Sequence, residues 1–236
     1  QLIIKKMADK KYVSTMFDDI AERYDFMNHF LSFGIDKFWR KQLVKELKRY
    51  QPKKILDVAT GTGDSAIALL QTDAEKIIGV DISKKMLAKG NEKIKRKRLT
   101  HKIELRHCDC ESLEFQNNTF DAVNVSFGVR NFENLDKGLS EIYQAVKPNG
   151  IATILEFSMP KNYIIKQIYS MYFFYILPLA GRFFSQNKYA YTYLPQSVKK
   201  FPKREQFMQH LQDAGFRKTR HIPLTFGVAE IYIGVK

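Results

Sequence analysis

Cysteine is scarce in this sequence: Cys108 and Cys110 are the only 2 thiols in 236 residues. Separated by a single residue, they are too close for an ordinary disulfide and lack the C-x-x-C spacing of a zinc site. Packing roles in a reduced, cytoplasmic setting are expected, and no metal site. Glycine is limited to 12 residues while aromatics reach 13%. That excludes collagen-like and disordered chains. Long apolar runs are also missing. The most apolar stretch, residues 168–181, is about 14 residues long and holds Pro178, whereas a spanning helix needs roughly 20. No bilayer crossing is expected, and the opening QLIIKKMADKKY has no apolar run of signal-peptide length. Acids are outnumbered, 25 against 39 bases, for a formal net charge of +14. That excess points to an anionic partner (nucleic acid, membrane surface or phosphate-bearing ligand) or to a solvated, Lys-rich surface.

What is present is a change of period along the chain. Phe17, Ile20, Ala21, Tyr24 and Met27 recur at three- and four-residue spacing, which predicts helix through this N-terminal stretch. A second helix is predicted over 38–50, after a break at Gly34. From Lys53 onward, short apolar runs (KKILDVATG, KIIGVD, KIELRHCD, FDAVNVSFG, IATILEFS) alternate with helical patterns over 65–70, 83–97 and 135–146. KPNG reads as a turn before the fifth run. This alternation predicts an α/β, Rossmann-like parallel sheet of βαβ units. Residues 161–200 read as helical and crowded with aromatics, among them Tyr163, Tyr169, Tyr172, Phe173, Phe183, Phe184 and Tyr193. A helix over 203–214 ends at Gly215, a suitable C-cap. Two strands, 217–226 and 229–235, then make an antiparallel hairpin. The expected layout is one domain over 1–236: N-terminal helices to 50, the βαβ half over 51–160, an aromatic helical lid over 161–202, and a C-terminal helix and hairpin.

The first strand ends in Asp57-Val58-Ala59-Thr60-Gly61-Thr62-Gly63-Asp64. Gly61 and Gly63 allow a sharp turn and close approach of a ligand to the backbone. GTGDSA also satisfies a loose dinucleotide pattern, so a dehydrogenase is one reading. Asp81 ends the second strand eighteen residues after Gly63, placed to accept hydrogen bonds from ribose hydroxyls. Asp109, after the third strand, is placed to receive the exocyclic amine of adenine. With Asp57 these acids make a negative crevice at the carboxyl edge of the sheet. Such a crevice suits a cationic ligand better than a pyrophosphate, and so favours S-adenosylmethionine over a nicotinamide dinucleotide.

DVATGTGD, GVD, NVSFGVRNF and KPNGIATILEFS together resemble class I S-adenosylmethionine-dependent methyltransferases. MFDDIAERYDFMNHFLSFGIDKFWR, SFGVRNF and YTYLPQSVKKFP narrow the resemblance to the menaquinone/ubiquinone-biosynthesis C-methyltransferases, from Met16 to Gly234. The resemblance implies a seven-stranded sheet with its last strand antiparallel. It implies methylation of a prenylated quinol ring carbon, 2-demethylmenaquinol to menaquinol, with the ubiquinone-pathway benzoquinol as alternative. It carries donor-binding positions onto Thr62, Asp81, Asp109, Cys110 and Ser126. Two positions depart from the family's pattern: Thr60 stands where a glycine is usual, which is expected to loosen the loop slightly, and Tyr232 stands where a histidine is common.

The chemistry requires a reduced ring, because a quinone carbon is electrophilic, and a group that favours loss of a phenolic proton. Arg130 is expected to stabilise the developing phenolate or orient a water, Asn131 to position the ring, and Tyr24 with Asp25 to close over the site. His29 and His107 are expected to be structural. The aromatic segment reads as a lid packing its own core or as a wall for the isoprenoid tail. Transient, peripheral contact with the inner face of the membrane is expected through that lid and through Lys199, Lys200, Lys203 and Arg204. A homodimer is compatible with the reading. The basic run from Lys84 to Lys102 suggests an RNA methyltransferase, but SFGVRN stands where base-methylating enzymes often carry an N/D-P-P-Y motif, so no nucleic-acid partner is expected. A protein that only binds the donor is the remaining class.

Overall fold

A computed structural model describes residues 9–176 and 188–236. The N-terminal stretch is broken where its periodicity predicts continuity. Helix α1 (Lys10–Ile20) starts at Asp9, whose carboxylate accepts the Lys11 and Tyr12 N–H groups, the usual remedy for unpaired amides at a helix start. It stops after Ile20, and α2 (Tyr24–Leu31) sets off anew. Phe33 and Gly34, at φ 51° and 74°, turn the chain into α3 (Ile35–Lys48). This helix begins ahead of its predicted start because Asp36 sits in its first turn, paired with Arg40 one turn on. An acid there complements the helix dipole.

The five apolar runs form parallel strands: β1 (Lys54–Val58), then α4 (Asp64–Leu69), β2 (Lys76–Asp81), α5 (Lys84–Arg96), β3 (Ile103–His107), β4 (Phe120–Ser126), α6 (Leu135–Ala145) and β5 (Val146–Phe157). KPNG is not a separate turn. It is drawn into the start of β5 as an irregular segment, with Asn149 at φ 62° and a register shift opposite Phe120 and Ala122. The lid follows as α7 (Tyr163–Met171), a π-helical turn over Tyr172–Ile176, and α8 (Lys188–Lys200). The part of the predicted lid over 177–187, with Pro178, Phe183 and Phe184, lies outside the described residues. Helix α9 (Arg204–Asp213) ends before Gly215 at φ 108°, and β6 (Arg217–Leu224) and β7 (Ala229–Val235) close the chain.

The sheet has seven strands in the order β3-β2-β1-β4-β5-β7-β6 among the described residues. Strand β7 is antiparallel to both neighbours. Buried clusters cover both faces of the sheet, which is why the central strands read as near-continuous apolar runs. A third cluster joins Val13 and Met16 of α1 to Phe173, Tyr193 and Val198 of the lid. The strand order reverses between β1 and β4, so the crevice opens outside their carboxyl ends.

Candidate active site

The loop after β1 is fastened from beneath. Asp57, fully buried, accepts the Thr60 hydroxyl at 2.6 Å and the Asn124 amide at 2.6 Å. Thr153 continues the ladder to Asn124 at 3.2 Å. Burial pushes the Asp57 carboxyl up to about 6, against the pull of both hydrogen bonds. Asp57 therefore anchors the loop and does not line the crevice. Thr60, expected to loosen the loop, ties it down. Tyr232, at the position where the family often has histidine, is a core residue packed on Phe207 at 4.6 Å.

Above this anchor Gly63 takes φ 79° and starts α4. The Gly61 N–H donates to Asp81 at 2.8 Å, and the Ser83 N–H to its other oxygen at 2.8 Å. Each carboxylate oxygen retains accepting capacity beyond those bonds. Burial raises the Asp81 pKa, and the backbone N–H groups only partly offset it. Gly128 lets the loop after β4 approach: a Cβ there would meet that of Ala59 at 2.5 Å.

A cavity of about 80 Å³ lies at this edge, lined by Gly61, Asp81, Asp109, Cys110, Ser126, Asn131 and Tyr24 together with the apolar Val80, Ile82, Met86 and Phe132. Thr62 and Gly63 are not in its wall. The Thr62 hydroxyl donates to Asp25 at 2.5 Å, and Lys93 reaches Asp25, Asp64 and Thr62. Asp25 thus clasps α2 to the loop and to α5. Asp109 is engaged by Lys10 of α1 at 2.7 Å and by the Glu111 N–H. Burial pushes the Asp109 carboxyl up, but these two partners outweigh it and hold it below the usual range. Burial also raises the Cys108 and Cys110 thiols, which are both free.

A second cavity, about 270 Å³, adjoins the first and is walled by aromatics: Trp39, Phe157, Tyr169, Tyr172, Phe173 and Tyr193. Phe17, Tyr24 and Phe127 line both cavities. Arg130 and Asn131, neighbours in sequence, face different ones. Asn131 lines the acidic cavity and accepts the Tyr193 hydroxyl at 2.9 Å. Burial pushes that phenol up to about 12. Arg130 lines the aromatic cavity, pairs with fully buried Glu156 at 2.7 Å, and lies over the Phe157 ring at 5.5 Å. A cation is thus presented to an apolar space with its counter-charge behind it.

Sequence reasoning missed Glu156, Asn124 and Thr153. Their signal was available: each is a polar residue inside an otherwise apolar strand run, where burial demands a partner. It also missed the polar cluster at the α2–α3 corner, where Asp36 is held by Arg40, Ser32 and His29. Arg204, expected at a membrane surface, instead reaches inward to buried Glu230.

The sequence profile of one known family, the ubiE/COQ5 methyltransferase family, matches residues 5–236. The chain belongs to that family. Among curated relatives, the demethylmenaquinone methyltransferase of Bacteroides fragilis is 44% identical over 225 residues, covering 95% of this chain and 92% of that one. The ubiquinone/menaquinone biosynthesis C-methyltransferase UbiE of Geobacter sulfurreducens is 44% identical, covering 95% and 88%. The solved fold of an S-adenosylmethionine-dependent methyltransferase from Aquifex aeolicus superposes with a TM-score of 0.61 at 18% identity, covering 83% of this chain and 88% of that one. The [4+2]-cyclase SpnF scores 0.71 at 16% identity, covering 96% of each. Such distant likeness establishes the fold alone. The family membership and the close relatives agree with the methyltransferase activity and methyl donor expected from the sequence.

Proposed function

We propose that this ubiE/COQ5-family chain transfers a methyl group from S-adenosylmethionine to a ring carbon of a prenylated quinol, converting 2-demethylmenaquinol to menaquinol. The observation that carries this reading is the aromatic wall common to two unlike cavities. Phe17, Tyr24 and Phe127 line both an acidic space and an aromatic one, so a cationic donor and a ring acceptor meet at the junction these three residues frame.

The residues of the acidic cavity fit the donor. Asp81, tied by two backbone N–H groups, offers its remaining lone pairs to ribose hydroxyls, each such bond contributing about 1.5–3 kcal/mol. Cys110 and Ser126 are in its wall and Thr62 braces the loop behind it. Asp109 takes the adenine amine in exchange for Lys10. S-adenosylmethionine, when bound, supplies a methyl group made electrophilic by its sulfonium. The chain's own residues supply position and electrostatics, the larger share of catalysis when two reactants must align.

Arg130 stabilises phenolate in the aromatic cavity. A free phenol has a pKa near 10, and a charge-assisted hydrogen bond of about 1.5–3 kcal/mol lowers it by roughly one to two units. That makes the neighbouring ring carbon nucleophilic near neutral pH. Asn131, fixed by Tyr193, and Tyr24 position the reactants at the shared wall.

The isoprenoid tail leaves by an apolar mouth. Phe33 and Ile35 line the cavity and are also exposed. Tyr163, Ile164, Ile168, Met171 and Tyr175 of the lid and Phe226 are exposed as well. Such exposure in one molecule marks an interaction face, and we assign it to the membrane surface from which the substrate is drawn. Lys199 and Lys203 are exposed beside α9, whereas the Arg204 side chain is only 11% exposed. No helix among the described residues is long and apolar enough to cross a bilayer.

The relative named for both quinones keeps the ubiquinone-pathway benzoquinol as a second acceptor reading. Quinone profiles separate the two. Cells deleted for their own enzyme and carrying this chain are expected to lose accumulated demethylmenaquinone and regain menaquinone. Persistence of demethylmenaquinone despite expression of folded protein would count against the reading.

A further inference from the structure

Buried polar side-chain atoms are nearly always hydrogen-bonded, and exceptions call for a reason. Among the described residues three such atoms lack a partner: Arg130 Nε, Tyr169 Oη and Arg204 Nε. Arg204 lies away from both cavities, against Glu230. Arg130 and Tyr169 both line the aromatic cavity. Two unfilled hydrogen-bonding positions therefore belong to residues of one cavity wall, whose other charged members, Asp36 and Arg40, are already paired with each other.

We propose that the Tyr169 hydroxyl binds the second ring oxygen of the acceptor, so that Arg130 and Tyr169 together select a ring bearing two oxygens. This rests on the quinol reading above and extends it to a residue outside the SFGVRN loop.

Tyr169 cannot escape the cavity cheaply. Its ring stacks on Phe173 at 5.0 Å with 21° between planes, and Phe173 is itself only 1% exposed. Burial drives the phenol far above its ordinary pKa, with the Arg130 charge pulling only weakly the other way. It stays neutral, able both to donate and to accept. The Arg130 Nε–H only donates. A cationic donor suits the oxygen that has lost its proton, and a neutral hydroxyl suits the oxygen that keeps one. A singly deprotonated dihydroxy ring presents that pair. A site built to hydrogen-bond a hydroxyl discriminates strongly against an analogue lacking it, because its own polar group is left unpaired.

The test crosses one variant with two acceptors in the full-length chain. The acceptors are a short-tailed 1,4-dihydroxynaphthalene with its methylation position free and the same ring lacking the hydroxyl remote from the reacting carbon. Tyr169→Phe is expected to lower kcat/KM roughly three- to tenfold on the first and less than twofold on the second, with donor affinity unchanged. The free variant is expected to unfold at the same temperature or higher, since an unpaired buried hydroxyl has been removed. Equal losses on both acceptors, no loss on either, or a lowered unfolding temperature would overturn the proposal alone. A wild-type chain that methylates neither ring would overturn the quinol reading and this proposal with it.

Discussion

Asp57 and Asp81 are both acids near the carboxyl ends of buried strands, yet their surroundings give them different work. Asp57 is sealed under the loop with two fixed partners, and its raised pKa is a statement about folding. A group whose folded pKa lies above its unfolded value stabilises most below the unfolded value, and that share is lost as pH rises through the folded one. For Asp57 the window runs from about 4 to about 6, and two units correspond to roughly 3 kcal/mol. Asp57→Asn should therefore flatten the pH dependence of urea unfolding between pH 4 and 7. An unchanged slope would mean the carboxylate is better solvated than its burial implies. Asp81→Asn should leave the fold intact and weaken donor binding about tenfold to a hundredfold by calorimetry. Arg130 is more entangled. Arg130→Met strands the Glu156 carboxylate in the core at a cost of about 3–5 kcal/mol, so lost turnover in that variant mixes two effects. Adding Glu156→Gln should recover most of the stability and none of the turnover. Asp81 and Asp109 were legible as strand-end acids at the carboxyl edge of a parallel sheet, where ligands bind, whereas Asp57, expected in the crevice, lies beneath the loop. Glu156 stood out as a polar residue in an apolar strand run, but its pairing did not, because Arg130 lies 26 positions away and only the finished loop brings them together.

Elements follow the same division. The parallel strands were readable because burial on both faces leaves apolar runs, and the hairpin because two strand-like segments end the chain. The N-terminal helices were misread as continuous. Their apolar spacing persists across residues 21–23, but tertiary contacts decide the break: Lys93 of α5 and the Thr62 loop seize Asp25 at the start of α2. The left-handed Phe33 at the next corner carries no sequence signal of its own. Lys93 also limits the nucleic-acid reading, since one cation of the basic run is spent inward at 13% exposure. The clasp is a testable device. Lys93→Met should raise amide exchange in α2 and weaken donor affinity severalfold, while the core strands keep their protection. Uniform loss of protection would show instead that Lys93 supports the whole fold.

At the scale of the molecule, the charge of +14 first suggested an anionic partner of any kind. The acidic cavity takes only Lys10 of it, paired with Asp109 and Glu111, and Arg204 and Lys93 are committed to internal acids. What faces outward at the cavity mouth is chiefly apolar, so burial should dominate docking, with lysines adding about 1 kcal/mol each at an anionic surface. Vesicle flotation should accordingly show wild-type binding to neutral and, more strongly, to anionic membranes. Ile164→Glu with Ile168→Glu should cut both at least fivefold. Equal binding of neutral and anionic vesicles would remove the electrostatic part, and an unaffected double variant would remove the lid face.

The central claim is that donor and quinol meet where Phe17, Tyr24 and Phe127 line both cavities. Its most direct test incubates the purified chain with donor carrying a 13C-labelled methyl group and a reduced, short-tailed demethylmenaquinol. The label is expected on the ring carbon, located by NMR, with no transfer to the oxidised quinone. Label on a ring oxygen, equal labelling of the quinone, or no transfer while both ligands bind would contradict it.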